Sequence, residues 1–452
     1  MRKIIHFLIL AISTPSFAQS WSELGGGSNS LDANSEIGRV VTDKYGNVYT
    51  AGSFTNSNGK QYVAKWDGLK WAELGNGSAA LNANSAISSL CTDANGNVYA
   101  GGVFKNANGK YYIAKWNGVN WAELGIGSNS LISSGVTYTM VCDKSGNLYA
   151  GGEFKNSNGK NFVAKWDGSI WTELGAGLDT LKANESVHSI CLDGLGNVYS
   201  AGDFTNSKGK CYVAKWNGAS WSEIGIGGSE LNPNSGIYTL LCDKSGNIYG
   251  AGGFKNSNGK HYVAKWNGTK WSELGGAINP LNANRSISSI CIDGAGNIYA
   301  SGSFKKPNGK NYVAIWDGNK WSEVGNGIST LYADEFILSI CTDPYGNLYA
   351  VDFYPGTKAK PYIARYGFAV GIAATTDEKS FVVTPNPTSS LFLIDYSSNK
   401  SESFTLFNTL GEQIFSDSWM PTQTQRTIDV SDFPKGIYFI RIGEAVQKLI
   451  VE

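Results

Sequence analysis

From Ala86 onward the chain runs through four short apolar stretches in fixed order, "AISSLCTD", "GNVYAGG", "YYIAKW" and "WAELG", separated by polar turns. Each stretch is too short for a helix and rich in β-branched and aromatic residues, so each predicts a strand. The turns agree. Asp93-Ala94-Asn95-Gly96 reads as a type I turn closed by a glycine at positive φ, and Asn117-Gly118 reads as a hairpin. The order returns every fifty residues, marked by Trp21, Trp71, Trp121, Trp171, Trp221, Trp271 and Trp321. A repeat of this length predicts units that bury their faces only against one another.

Four antiparallel strands per unit predict a blade, and a ring of blades predicts a β-propeller. The ends fix the number. Seven units carry the first three strands, but the seven "W-x-E-[LIV]-G" strands are displaced. The first, Trp21–Gly25, precedes any complete unit, and the last unit stops at "YIARYGF". The N-terminal strand is therefore expected to complete the last blade and abolish an open sheet edge. The fold class is all-β: a seven-bladed propeller over residues 19–369, then a linker over 370–380 and a small β-sandwich over 381–452. Val351-Asp352 and Tyr366 depart from the repeat, so some distortion of the last blade is expected.

Composition narrows the setting. The 452 residues are 42% hydrophobic and include 56 glycines, which suits many strands joined by tight turns. Equal counts of basic and acidic residues, 37 each, give no electrostatic case for nucleic acid. Arg2-Lys3, the apolar run Ile4–Ile12 and Ser16-Phe17-Ala18 predict a signal peptide over 1–18, cleaved after Ala18. No later apolar run is long enough to span a bilayer as a helix. The seven cysteines follow the repeat: Cys91, Cys142, Cys191, Cys242, Cys291 and Cys341 precede a recurring aspartate, and Cys211 stands elsewhere. They are expected to be buried, unpaired thiols.

Two resemblances follow from these residues. "VYAGG", "AKW" and "W-x-E-L" resemble kelch-like propellers, and "D-x-x-G-N-[VIL]-Y" resembles repeats of secreted bacterial propellers. The C-terminal stretch resembles a type A sorting domain of the type IX secretion system. The match rests on Pro385-Asn386-Pro387, "LFNTLGEQI" with Gly411, Gly436-Ile437-Tyr438-Phe439, and a last strand beginning near Lys448. That resemblance implies delivery across the outer membrane by the type IX machinery, then release or attachment to the cell surface.

The chemistry is sparse. Three histidines, one of them in the signal peptide, do not supply a metal site or a triad, and no cofactor motif is present. No cofactor, no metal and no catalytic residues are expected. Asp43 and its six repeat partners through Asp343 are read as caps of their own turns rather than calcium ligands. The tryptophans are read as blade-to-blade packing. Lys60, Lys110, Lys160, Lys210, Lys260, Lys310 and Lys360 form a recurring cationic set: a receptor for anionic glycans, or solvated turn tips. Glu185, His188, Arg285, Asp334 and Glu335 break the repeat without forming a recognisable set. The expected function is a monomeric, exported binding or adhesion propeller for a surface glycan or protein. The alternatives are a glycan hydrolase or lyase, or a structural surface protein.

Overall fold

The computed structural model describes residues 19–368 apart from 132–134, 176–178, 326–330, 332, 334–335 and 353–359, and residues 381–452 apart from 397–400, 409–412, 422 and 444. The expected signal peptide, the linker, Gly411, Asp334 and Glu335 fall outside them. The chain divides into two compact units at Phe368/Ala369.

The first unit consists of seven four-stranded antiparallel sheets. In the second blade the strands are Ile87–Thr92, Val98–Gly102, Ala114–Trp116 and Trp121–Glu123. The third is shorter than its apolar run suggests, and it joins the fourth through four residues rather than an Asn-Gly pair. Asn117 Oδ1 accepts the amides of Val119 and Asn120, so its side chain closes the turn. The first strands of successive blades pack against one another in a closed cycle, the last against the first, and so surround the axis.

Closure occurs where the displaced strand predicts it. Gln19–Glu23 pairs with Ile363–Phe368, with Trp21 opposite Tyr366. This seam registers all five residues from Gln19 to Glu23, whereas the equivalent pair in the second blade registers only Ala114, Lys115 and Trp116. A seam with no covalent turn to hold it gains from the extra pairing.

The core lies between blades. One cluster joins Tyr49, Ala51, Val63 and Leu74 of the first blade to Ile87, Leu90, Phe104 and Trp121 of the second. Phe54 through Phe304 are fully buried, each edge-on to an aromatic such as Tyr62 or Tyr112. The indole of Trp121 donates to the Leu74 carbonyl of the preceding blade at 2.7 Å, and Trp71 to Leu24 at 3.0 Å. Thus the tryptophans pack blade on blade. In the first six blades a glycine ends the second strand, where a Cβ on Gly52 would collide with the Glu36 carbonyl next to the bulge in the first strand; the last blade carries Asp352 at this position.

The second unit is a two-sheet sandwich. One sheet holds Val382–Thr384, Leu391–Asp395 and Gln425–Asp429; the other holds Glu402–Asn408, Gln413–Trp419, Gly436–Ile442 and Ala445–Val451. Alternate residues such as Tyr438, Ile440 and Ile442 point into one core with Phe392, Phe404 and Trp419.

Candidate functional site

Most recurring polar residues are consumed by the scaffold. Asp93 Oδ1 accepts the amides of Asn95 and Asn97, and Oδ2 accepts Asn97 Nδ2 and the Tyr99 hydroxyl. Burial alone would raise its pKa, but these donors outweigh burial and hold it below the usual carboxylate value. The same bonding recurs from Asp43 to Asp343. This is turn capping.

The recurring lysines stand at the turn between the second and third strands. Asn56 Oδ1 accepts the Lys60 amide, and Asn56 Nδ2 reaches Glu73. Lys60, Lys110, Lys160 and Lys260 are exposed, Lys210 and Lys310 half-buried, and Lys360 pairs with Asp32 at 3.0 Å. Each sits on its own blade, and none lines the cavity described below.

That cavity, of about 130 Å³, opens on the axis among the first strands. Its walls come mainly from two adjacent positions of the repeat, joined by Leu90 and Met140 from the position after them. The first reads Arg39, Ser89, Thr139, Ser189, Thr239, Ser289 and Ser339. Around most of the ring the hydroxyl oxygen accepts an amide of the next blade: Thr139 from Ile190, Ser189 from Leu240, Thr239 from Ile290, Ser289 from Ile340 and Ser339 from Val40, at 2.9–3.4 Å. Arg39 replaces the hydroxyl in the first blade. Its Nε donates to the Ser88 carbonyl at 2.9 Å, and its two Nη groups have no hydrogen-bond partner among the described residues.

The second position reads Gly38, Ser88, Tyr138, His188, Tyr238, Ser288 and Leu338. Three consecutive blades therefore raise an aromatic wall. Tyr138 stacks on His188 with centroids 5.4 Å apart, and Tyr238 meets His188 edge-on at 5.9 Å. Two carboxylates hold the wall from behind, each just past the end of its blade's second strand. Glu153 accepts the Tyr138 hydroxyl, and Asp203 lies 2.7 Å from His188 Nε2. Burial, then the Glu153 hydrogen bond, raises the Tyr138 phenol, so it stays protonated. Gly236 leaves the space that the Asp203 carboxylate occupies. Nearby, burial raises Glu36 against the opposing charge of Arg39.

Of the residues that break the repeat, the structure brings His188 into this wall; Glu185 and Arg285 do not line the cavity. Arg39, Tyr138, Tyr238, Glu153 and Asp203 escaped the sequence reading. Their signal was present: comparing the seven copies position by position shows the aromatic run. Cys211 occupies the position held by Gln61, Asn161, His261 and Asn311, and its thiol reaches the Asp203 carbonyl at 3.7 Å. All seven cysteines are unpaired thiols.

In the sandwich, the sorting residues tie the ends together. Asn386 Nδ2 donates to the Lys448 carbonyl at 2.5 Å, and its Oδ1 accepts the Ile450 amide at 2.8 Å. Thr388 then bridges Val451 in parallel. The Tyr438 hydroxyl donates to the carbonyl of Pro434 at 2.6 Å, and Gly436 lies opposite Val451. Pro385-Asn386-Pro387 is thereby strapped to the terminal strand.

Residues 382–452 match a secretion system C-terminal sorting domain. The chain is a seven-bladed propeller carrying that domain, and it is exported through the type IX system to the cell surface or the medium. Among the described residues, no helix is long and apolar enough to cross a membrane. No curated protein matches the chain. Solved structures with a similar course include the extracellular domain of the hybrid two-component system BT3049 from B. thetaiotaomicron (14% identity, TM-score 0.49, 96% of this chain and 57% of that one). Others are YCF48 bound to D1 peptide (10%, 0.48, 77% and 96%) and a protein from Lactobacillus plantarum (15%, 0.45, 84% and 99%). The chain thus spans little more than half the length of the first.

Proposed function

We propose that the chain is an exported binding propeller whose ligand engages the mouth of the axial cavity. One observation carries this reading. The repeat is nearly uniform where it builds blades, yet varies at the two positions that line the mouth, where Arg39, Tyr138, His188 and Tyr238 stand together. Packing does not require that variation, since serine fills the second position in the second and sixth blades. A rigid ring presenting unlike side chains at its axis suits recognition. Its delivery outside the cell places the ligand there.

The His188–Asp203 pair favours a second reading, a glycan hydrolase or lyase, because a carboxylate orients the imidazole. We place binding first, since the described residues lining the cavity include no pair of carboxylates to act as acid and nucleophile. A glycan array probed with the full-length protein, followed by chromatography of the retained glycans, tests both. Unaltered hits support binding; chemically altered glycans support the enzyme; absence of any hit removes the enzyme reading and restricts binding to a ligand that is not a glycan.

A further inference from the structure

Resting on the reading of the axial mouth as a binding site, we infer that it takes an acidic sugar residue, with the sugar's oxyanion held by Arg39. The donors point to the charge. Arg39 spends one nitrogen on Ser88, and its terminal nitrogens remain available to form a planar fork suited to a carboxylate or sulfate. Around it, Thr139, Ser189, Thr239 and Ser289 accept backbone amides on their oxygens. Each therefore retains its hydroxyl hydrogen as a donor. The axial floor thus offers a cation and several hydroxyl donors to a ligand that accepts.

The wall points to the rest of the ligand. Tyr138, His188 and Tyr238 are locked by mutual ring contacts and by Glu153 and Asp203, so they present a rigid aromatic surface. Such surfaces pack the apolar C–H faces of sugar rings. Behind the wall the Asp203 side chain is 48% exposed and bonds His188 through one oxygen, which fixes the ring without closing the cavity. Donors at the centre and aromatic faces beside them match a sugar ring that carries an oxyanion and further oxygen acceptors. A cavity of about 130 Å³ suits one such residue rather than a long chain.

The repeat supplies its own controls, because other blades show which residues these positions tolerate. Arg39→Ser copies Ser89, and Tyr138→Ser and His188→Ser copy Ser88. Titration calorimetry on the full chain would use trigalacturonate, sulfated maltotriose and maltotriose, with thermal melts confirming that each variant folds. At least one acidic trisaccharide should bind tenfold or more tightly than maltotriose. R39S should abolish that preference, R39K should recover only part of it, and Y138S and H188S should weaken the preferred ligand several-fold. Preference for trigalacturonate identifies a carboxylate, and preference for the sulfated sugar identifies a sulfate. Maltotriose binding as tightly as both, or an acidic preference untouched by R39S, overturns the inference while leaving a binding propeller. If no saccharide binds but an acidic peptide does, the saccharide class is wrong while the mouth remains a binding site. Binding of neither class, with the variants indistinguishable from wild type, would remove the binding reading as well.

Discussion

The indole Nε1 of Trp21 donates to the carbonyl of Val324, 303 positions away, at 3.2 Å. This is the bond that Trp121 makes to Leu74 and Trp71 to Leu24, here made between the two ends of the propeller. The ring closes by repeating its internal contact, reinforced by Tyr366 packed against Trp21 at 5.3 Å.

That seam should limit stability. Trp21→Ala removes the contact with Tyr366 and the bond to Val324. As the side chain is half-buried, the cost should be on the order of 2 kcal/mol, below the range for a fully buried tryptophan. Deleting 19–26 should expose the Ile363–Phe368 edge and promote association. Urea unfolding and light scattering measure both, and unchanged midpoints with a monodisperse deletion variant would refute closure by this strand.

The turn aspartates should act as structural groups independent of calcium. Asp93→Ala leaves two amides, Asn97 and the Tyr99 hydroxyl without their acceptor, and should cost about 2–4 kcal/mol. Adding calcium or a chelator should not shift the melting temperature of the wild type. A calcium-dependent rise of several degrees would contradict the capping role.

His261 should make stability pH-dependent. Burial, then the charge of Lys255, lowers its pKa below the ordinary 6.5. Its folded pKa lies beneath its unfolded one, so the unfolded chain binds the proton first as pH falls. The associated stability is complete above about pH 6.5 and declines as pH drops toward the folded pKa, by at most about 1.4 kcal/mol per pH unit. His261→Asn copies Asn161 and Asn311. Relative to wild type, the variant should be more favoured at pH 5 than at pH 8; an identical difference at both would exclude the linkage.

The thiols should be free and slow to react. Burial raises Cys91, Cys191 and Cys291 well above the ordinary thiol value, and pushes Cys242 to about 11. Little thiolate exists at neutral pH. Titration in denaturant without reductant should count at least six thiols, and the native protein should react far more slowly. Two or more disulfides would show that the buried positions oxidise after export.

The sandwich should be needed for export and dispensable for folding of the propeller. Removing 371–452 should leave a folded propeller in the periplasm, with at least a tenfold drop in surface or medium protein on fractionation. In the full chain, Asn386→Ala should loosen the terminal strand by about 1–2 kcal/mol, since both bonds to Lys448 and Ile450 are lost. Undiminished export of the truncated form would sink the role assigned to this unit.

The fifty-residue period, the turn residues and the displaced Trp21 strand were enough to determine seven blades and their closure. These are local or nearest-neighbour facts: a turn needs its glycine, a blade needs the next blade's face, and each copy states the same need again. The sorting domain was legible because its strands and Pro385-Asn386-Pro387 lie in continuous order. The axial mouth was decided only by the tertiary structure. Arg39, Tyr138, His188 and Tyr238 each stand fifty to a hundred residues from the next, and each looks like an incidental change within its own copy. Only ring closure around one axis brings the first strands of all blades together, and there single changes in separate copies become one asymmetric surface.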